Sequence, residues 1–115
     1  MKRYAVEVAD AALAAIAEQA RYLVEQGRSA DTARRWLEGI WRAVDSLELW
    51  PLRASRAEED DYVSYEVRRI IVGDQLLLFT VDEARQAVVI VGLRHGRRRV
   101  RRDELPRRPS GPEDG

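Results

Sequence analysis

The residues with the most chemical capacity lie late in the chain. His95 is the single histidine, and an imidazole titrates near neutral pH, so it can serve as a general acid or base. Arg94 directly precedes it, and Arg68 and Arg69 sit side by side in a stretch rich in Val and Ile; guanidinium groups of this kind stabilise anionic oxygens through charge-assisted hydrogen bonds. Alternation along a strand sends Arg68 and Arg69 to opposite faces, so only one of them can share a site on an exposed sheet face. After Gly96 come Arg97, Arg98, Arg99, Arg101, Arg102, Arg107 and Arg108, a set able to clamp phosphates or to dock an acidic protein segment. Each has a plainer use. A strand arginine more often pairs with a nearby acid such as Glu66, a histidine at a strand end more often makes a structural hydrogen bond, and an arginine-rich end is as often a solvated tail.

The zero net charge hides an asymmetry: residues 1–93 carry 12 Lys/Arg against 16 Asp/Glu, whereas residues 94–108 carry 8 Arg against 2 acids. That concentration favours an anionic partner, either nucleic acid or an acidic protein segment. With 115 residues, 45% apolar and 35% charged, the chain suits one domain with one modest core. The absence of cysteine excludes disulfides, thiolate zinc sites and a cysteine nucleophile. No phosphate-cradling glycine loop, dinucleotide fingerprint, His-Glu-x-x-His or nucleophile elbow occurs, so no cofactor and no metal are expected, and a metabolic enzyme is disfavoured. The N-terminal residues meet Glu7 without a long apolar run, which predicts neither a signal peptide nor a membrane anchor and places the chain in the cytoplasm.

These groups must be positioned by the elements around them. Tyr4, Val6 and Val8 alternate with Ala5 and Glu7, a period that predicts a short strand. Asp10 can cap a helix along which Leu13, Ile16, Ala20, Leu23 and Val24 recur at helical spacing until Gly27. Ser29 or Asp31 can cap a second helix bearing Ala33, Trp36, Leu37, Ile40, Val44 and Leu47 on one face, ending before Pro51. Core packing is the first expectation for Trp36, Trp41 and Trp50, with Trp41 off the stripe centre and partly exposed. Residues 49–61 read as an irregular connection closed by the solvated acidic run Glu58-Glu59-Asp60-Asp61. Three strands are predicted at Tyr62 to Val72, Leu76 to Val81 and Ala87 to Leu93, joined as antiparallel hairpins. The order β-α-α-β-β-β predicts an α+β fold, an antiparallel sheet of about four strands with the N-terminal helical hairpin on one face and the other face partly open. The domain is expected over residues 1–105, with a short helix within 97–105, and residues 106–115 as a disordered tail.

Three stretches carry a family resemblance: Leu47-Glu48-Leu49-Trp50-Pro51, Val67-Arg68-Arg69-Ile70-Ile71-Val72-Gly73 and Leu93-Arg94-His95-Gly96-Arg97-Arg98. In their order and spacing, the chain from residue 2 to about 99 resembles toxins of the RelE/ParE superfamily, the poison half of type II toxin–antitoxin pairs. It departs from their "LHGRR" ending by Arg94, inserted between Leu93 and His95. The resemblance implies a cognate antitoxin as partner, a toxin–antitoxin hetero-oligomer, and one of two activities. A ParE-like member inhibits DNA gyrase by binding it and needs no catalytic group. A RelE-like member is a ribosome-dependent, metal-independent mRNA endoribonuclease, whose basic and aromatic side chains orient the 2′-OH, stabilise the transition state and protonate the leaving oxygen. For the nuclease the catalytic candidates are Arg68, Arg69, Arg94 and His95. For the binding protein the candidates for partner contact are Trp41, Arg94, His95, Arg97 and Arg98. Nuclease-type members often place a tyrosine just after the last strand, and no tyrosine follows Tyr65 here, which favours gyrase binding. A non-toxic partner-binding domain on the same fold is the third reading.

Overall fold

The computed structural model describes residues 3–27, 29–96 and 105–109. Strand β1, Ala5–Val8, leads directly into helix α1, Asp10–Glu25. Ala9 holds the N-cap position without a side-chain bond, so Asp10 is not the cap but the first helical residue, where its negative charge meets the positive end of the helix dipole. Gly27 then turns the chain with φ 79°, a conformation glycine adopts without steric penalty. Helix α2, Ala30–Ser46, is capped by Ser29, whose Oγ accepts from the Thr32 backbone N–H at 3.1 Å. Its outer face carries the expected charge pairing, with Arg34 donating to Glu38 at 2.8 Å.

After α2 the chain forms β2 (Ser55–Arg56), β3 (Arg68–Val72), β4 (Gln75–Asp82) and β5 (Ala87–His95). The sheet order is β1-β5-β4-β3-β2. The turn between β3 and β4 spans Gly73 and Asp74, and φ 60° at Gly73 suits the first central position of a tight II′ hairpin. Five strands therefore replace the four expected, and the sheet is mixed. The pairs among β2, β3, β4 and β5 are antiparallel, whereas β1 runs parallel to β5, in register from Ala5 opposite Ala87 to Val8 opposite Ile90. Local hairpin signals say nothing about β1, because its partner lies some eighty residues away along the chain. Strand β3 starts at Arg68 rather than at Tyr62.

Strand β5 holds one extra residue. Leu78 opposes Gly92 while the next residue of β4, Phe79, opposes Ile90, so Val91 is a bulge. The bulge returns Leu93 to the helix-side core and leaves Arg94 on the same face as Leu76, its cross-strand partner.

Both faces of the sheet are packed. On one, Leu77, Phe79, Val88, Ile90 and Leu93 meet Ala12 and Ile16 of α1 and Ile40, Val44 and Leu47 from α2 and its C-cap. On the other, Leu76, Leu78, Val89 and Val91 are covered by Ala57, Val63, Tyr65, Val67 and Leu105. The face expected to be open is therefore largely closed by residues 57–67 and by Leu105; Ile71, 68% exposed on β3, remains uncovered.

Trp50 departs furthest from its expected place in the core. It is 66% exposed and adopts the left-handed conformation, φ 50° and ψ 52°, just before Pro51. Arg53 stabilises this turn by donating to the Leu49 carbonyl at 2.6 Å and the Trp50 carbonyl at 3.0 Å. A bulky residue is strained there by about 1 kcal/mol. Trp50→Asn, which tolerates left-handed backbone, is expected to raise stability by about 0.5–1 kcal/mol, read as an upward shift in Tm.

Candidate functional site

Strand β1 accompanies β5 only as far as Ile90, whereas β5 continues to His95. Beyond that point α1 and the end of β5 flank a cleft of ≈ 620 Å³. Ala11, Ala14 and Ala15 of α1 supply a low wall, with Glu18, Gln19 and Tyr22 further along; Gly92 to His95, Gln75, Leu78, Glu59 and Leu105 complete the lining.

Its most distinctive feature is an ion pair removed from water. Arg94 is 5% exposed and Glu59 2%, and they meet through two bonds, Nε to Oε2 at 2.6 Å and Nη2 to Oε1 at 3.3 Å. Two-point contact of this kind matches the planar guanidinium to the carboxylate and neutralises both charges. Glu59 is delivered by a 3₁₀ turn, Glu58–Asp61. The neighbouring Asp60 accepts from the Val67 backbone N–H at 2.8 Å, fixing the turn against the start of the β3 region. The acidic run is thus a folded element rather than a solvated loop.

The other candidates are dispersed. Arg68 opposes Phe79 and so belongs to the helix-side face, at its edge. Its guanidinium donates to Glu66 at 2.5 Å and to the Ala54 carbonyl at 2.6 Å, tying down the segment before β2. Arg69 opposes Leu78 and shares the second face, with β4 between it and β5. Arg94 and His95 both line the cleft, but alternation sends them to opposite faces of β5. Arg68 is therefore not brought to Arg94 and His95. Trp41, 36% exposed on α2, lies outside the cleft lining. Arg97 and Arg98 lie outside the described residues, as does the expected helix within 97–105 apart from Leu105.

Sequence reasoning missed Glu59, Gly92 and Leu105, whereas Tyr65, for which a core or strand-edge place is the first expectation, packs on the second core. A signal for Glu59 did exist: Arg94 ends a nearly continuous apolar run, and a buried guanidinium requires a buried acid. At Gly92, inside β5, a Cβ would come within 2.9 Å of Leu105 Cδ2, so that the Leu105 side chain would have to shift to admit one. The Tyr65 hydroxyl donates to the Pro106 carbonyl at 2.6 Å, and burial pushes its pKa up to about 12. A neutral phenol favoured by the fold contributes its stability below the unfolded value near 10, and that contribution is lost as pH rises from about 10 to about 12. Tyr65→Phe is expected to shrink the alkaline fall in stability across that window, read by denaturant unfolding at pH 9 and about pH 11.

Among the described residues no group of three His, Cys, Asp or Glu side chains is placed to hold a metal ion, and no helix is long and apolar enough to cross a membrane. The cleft is lined by the paired Arg94 and Glu59, by His95, and by a mixture of polar and apolar side chains. A family model described as the ParE toxin of type II toxin–antitoxin system, parDE, matches residues 6–100. The chain belongs to this toxin family. The match runs from Val6 in β1 past the end of β5 and so covers both helices, nearly all of the sheet and every cleft-lining residue except Leu105. Membership in the ParE toxin family implies a cognate antitoxin as partner. No curated protein matches the chain.

Proposed function

We propose that this type II toxin acts by binding DNA gyrase in the cytoplasm and blocking replication, without catalysing a reaction, and that its antitoxin holds it in an inactive hetero-oligomer. The observation that carries this reading is the dispersal of the candidate catalytic groups. A phosphoryl-transfer site needs its acid, base and anion-stabilising groups converging on one point within hydrogen-bond reach. Here Arg94 is committed to Glu59 inside the protein, Arg68 to backbone carbonyls at the far edge of the sheet, and β4 separates Arg69 from β5.

Exposed apolar side chains on the helical hairpin support a binding role: Leu13, Tyr22 and Val24 on α1 and Trp41 on α2. Aromatic anchors of this kind dominate the energetics of protein interfaces. Pulse-labelling of DNA and protein synthesis within minutes of inducing the chain alone tests the reading. DNA synthesis is expected to fall first, and purified toxin is expected to inhibit gyrase supercoiling. An earlier fall in protein synthesis, with codon-spaced cleavage of ribosome-bound mRNA that His95→Ala abolishes, would establish the nuclease instead. Undisturbed synthesis of both polymers would mark a non-toxic binding domain.

A further inference from the structure

We propose that Arg69, Arg107 and Arg108 form a phosphate-contacting surface for duplex DNA on the outer side of the second sheet face. Of the strand arginines, Arg56 and Arg68 hold Glu66, and Arg94 holds Glu59. Among the described residues Arg69 has neither an acid nor a hydrogen-bond partner, and the same is true of Arg107 and Arg108. The packing of the second face brings the three to one side. Arg69 opposes Leu78 and Leu78 opposes Gly92, a row across three strands about 10 Å wide. Leu105 rests on its far end, within 2.9 Å of where a Gly92 Cβ would stand. Tyr65 holds the Pro106 carbonyl at 2.6 Å, and Arg107 and Arg108 follow that anchored point as exposed residues.

Like charges gathered without counter-charge repel one another, a cost that an anionic partner removes. The fold does not supply that partner from nearby. Glu59 is held by Arg94, Asp60 by the Val67 amide and Glu66 by Arg56 and Arg68, which leaves Glu58 and Asp61 as the exposed acids of residues 57–67. A phosphate backbone fits the placement better than an acidic peptide. None of the three arginines lines the cleft, and Leu78 and Leu105 between them are buried, so the surface offers charge and donors without an apolar anchor for a peptide. Duplex DNA requires no more, because guanidinium groups match its phosphates and these repeat along a stiff backbone. A single strand would instead call for aromatic platforms under its bases, and Tyr65, the aromatic beside Pro106, packs on the second core. The neighbouring sequence keeps the same sign, with 8 Arg against 2 acids over residues 94–108. The surface lies apart from the helical hairpin, and the proposal is independent of the gyrase reading.

The test is fluorescence anisotropy of a labelled duplex of about 20 base pairs with the full chain and no gyrase, which keeps its outcome separate from gyrase inhibition. Binding is expected at low salt and should weaken steeply as salt rises. Each phosphate contact removed by Arg69→Gln, Arg107→Gln or Arg108→Gln should flatten the plot of log affinity against log salt by about 0.9. The triple variant should therefore lose about 2.7 of that slope and bind at least about tenfold more weakly at about 50 mM salt. Arg69→Lys, which keeps the charge, should keep the slope. An unchanged Tm shows that a variant retains the fold; if Arg69→Gln lowers it, Arg107→Gln with Arg108→Gln carries the comparison, with an expected loss of about 1.8. No binding by the full chain, or a slope unchanged in the triple variant, would overturn the proposal. So would equal competition by polyglutamate of matching charge, or tighter binding of single-stranded DNA or RNA of the same length.

Discussion

Glu59→Ala is expected to remove about 3–5 kcal/mol of stability, because it takes the two-point carboxylate contact away from a guanidinium that stays buried. Against a total of about 5–15 kcal/mol for a domain of this size, that loss is a large share of what holds the fold together. It should appear as a fall of about 2 M in the urea midpoint at unchanged slope. The pair itself adds little net stability, since withdrawing two charges from water offsets most of their attraction. The double substitution Glu59→Leu with Arg94→Met should therefore recover most of the midpoint lost by either single change, the signature of a coupled pair. This cycle also bears on function. If the double variant folds and still arrests growth, the Arg94 guanidinium is dispensable, as expected of a toxin that binds its target; if growth arrest is lost while folding is kept, Arg94 does chemistry or touches the target directly.

The helices were legible because their information is local. Ser29, the apolar recurrence from Ala33 to Leu47 and the positive φ of Gly27 act within a few residues of one another, and α2 forms where capping and periodicity place it. The three late strands were legible for the same reason, their turns being short. What failed was non-local. Val63, Tyr65 and Val67 alternate as a strand does, yet their apolar side chains close the second face while Asp60 holds the Val67 amide. Pattern alone records that these residues are half-buried and not which surface buries them. β2 is two residues long, too short for any period to register.

The site was half legible for a related reason. Arg94 and His95 were identified by residue type and both line the cleft, but the partner that fixes Arg94 lies 35 residues away in an acidic run whose composition suggested solvent. The bulge at Val91 decides which face Arg94 occupies, and a one-residue shift of this kind leaves no trace in composition. Apolar character alone points Trp50 to the core, but the turn before Pro51 turns the indole outward despite its size.

Leu78→Ala and Phe79→Ala, adjacent in β4, should both be severe, which is possible only if the sheet is a middle layer with a core on each side. Phe79 is fully buried against the helices, and its truncation is expected to cost about 3–5 kcal/mol. Leu78 points the other way, among Leu76, Val89, Val91 and Leu105, and its truncation is expected to cost about 2–4 kcal/mol. Were the second face open, as the β-α-α-β-β-β pattern suggested, Leu78→Ala would approach the surface value of about 0.5 kcal/mol. Ile71→Ala supplies that surface reference on the same face, where residues 57–67 and Leu105 leave the side chain uncovered. Unfolding midpoints of the three variants therefore report the covering of the second face directly. Adding Leu105→Ala to Leu78→Ala should cost less than the sum of the two single changes, because the contact between these side chains is already lost when either is truncated. Full additivity would mean that Leu105 does not rest on Leu78.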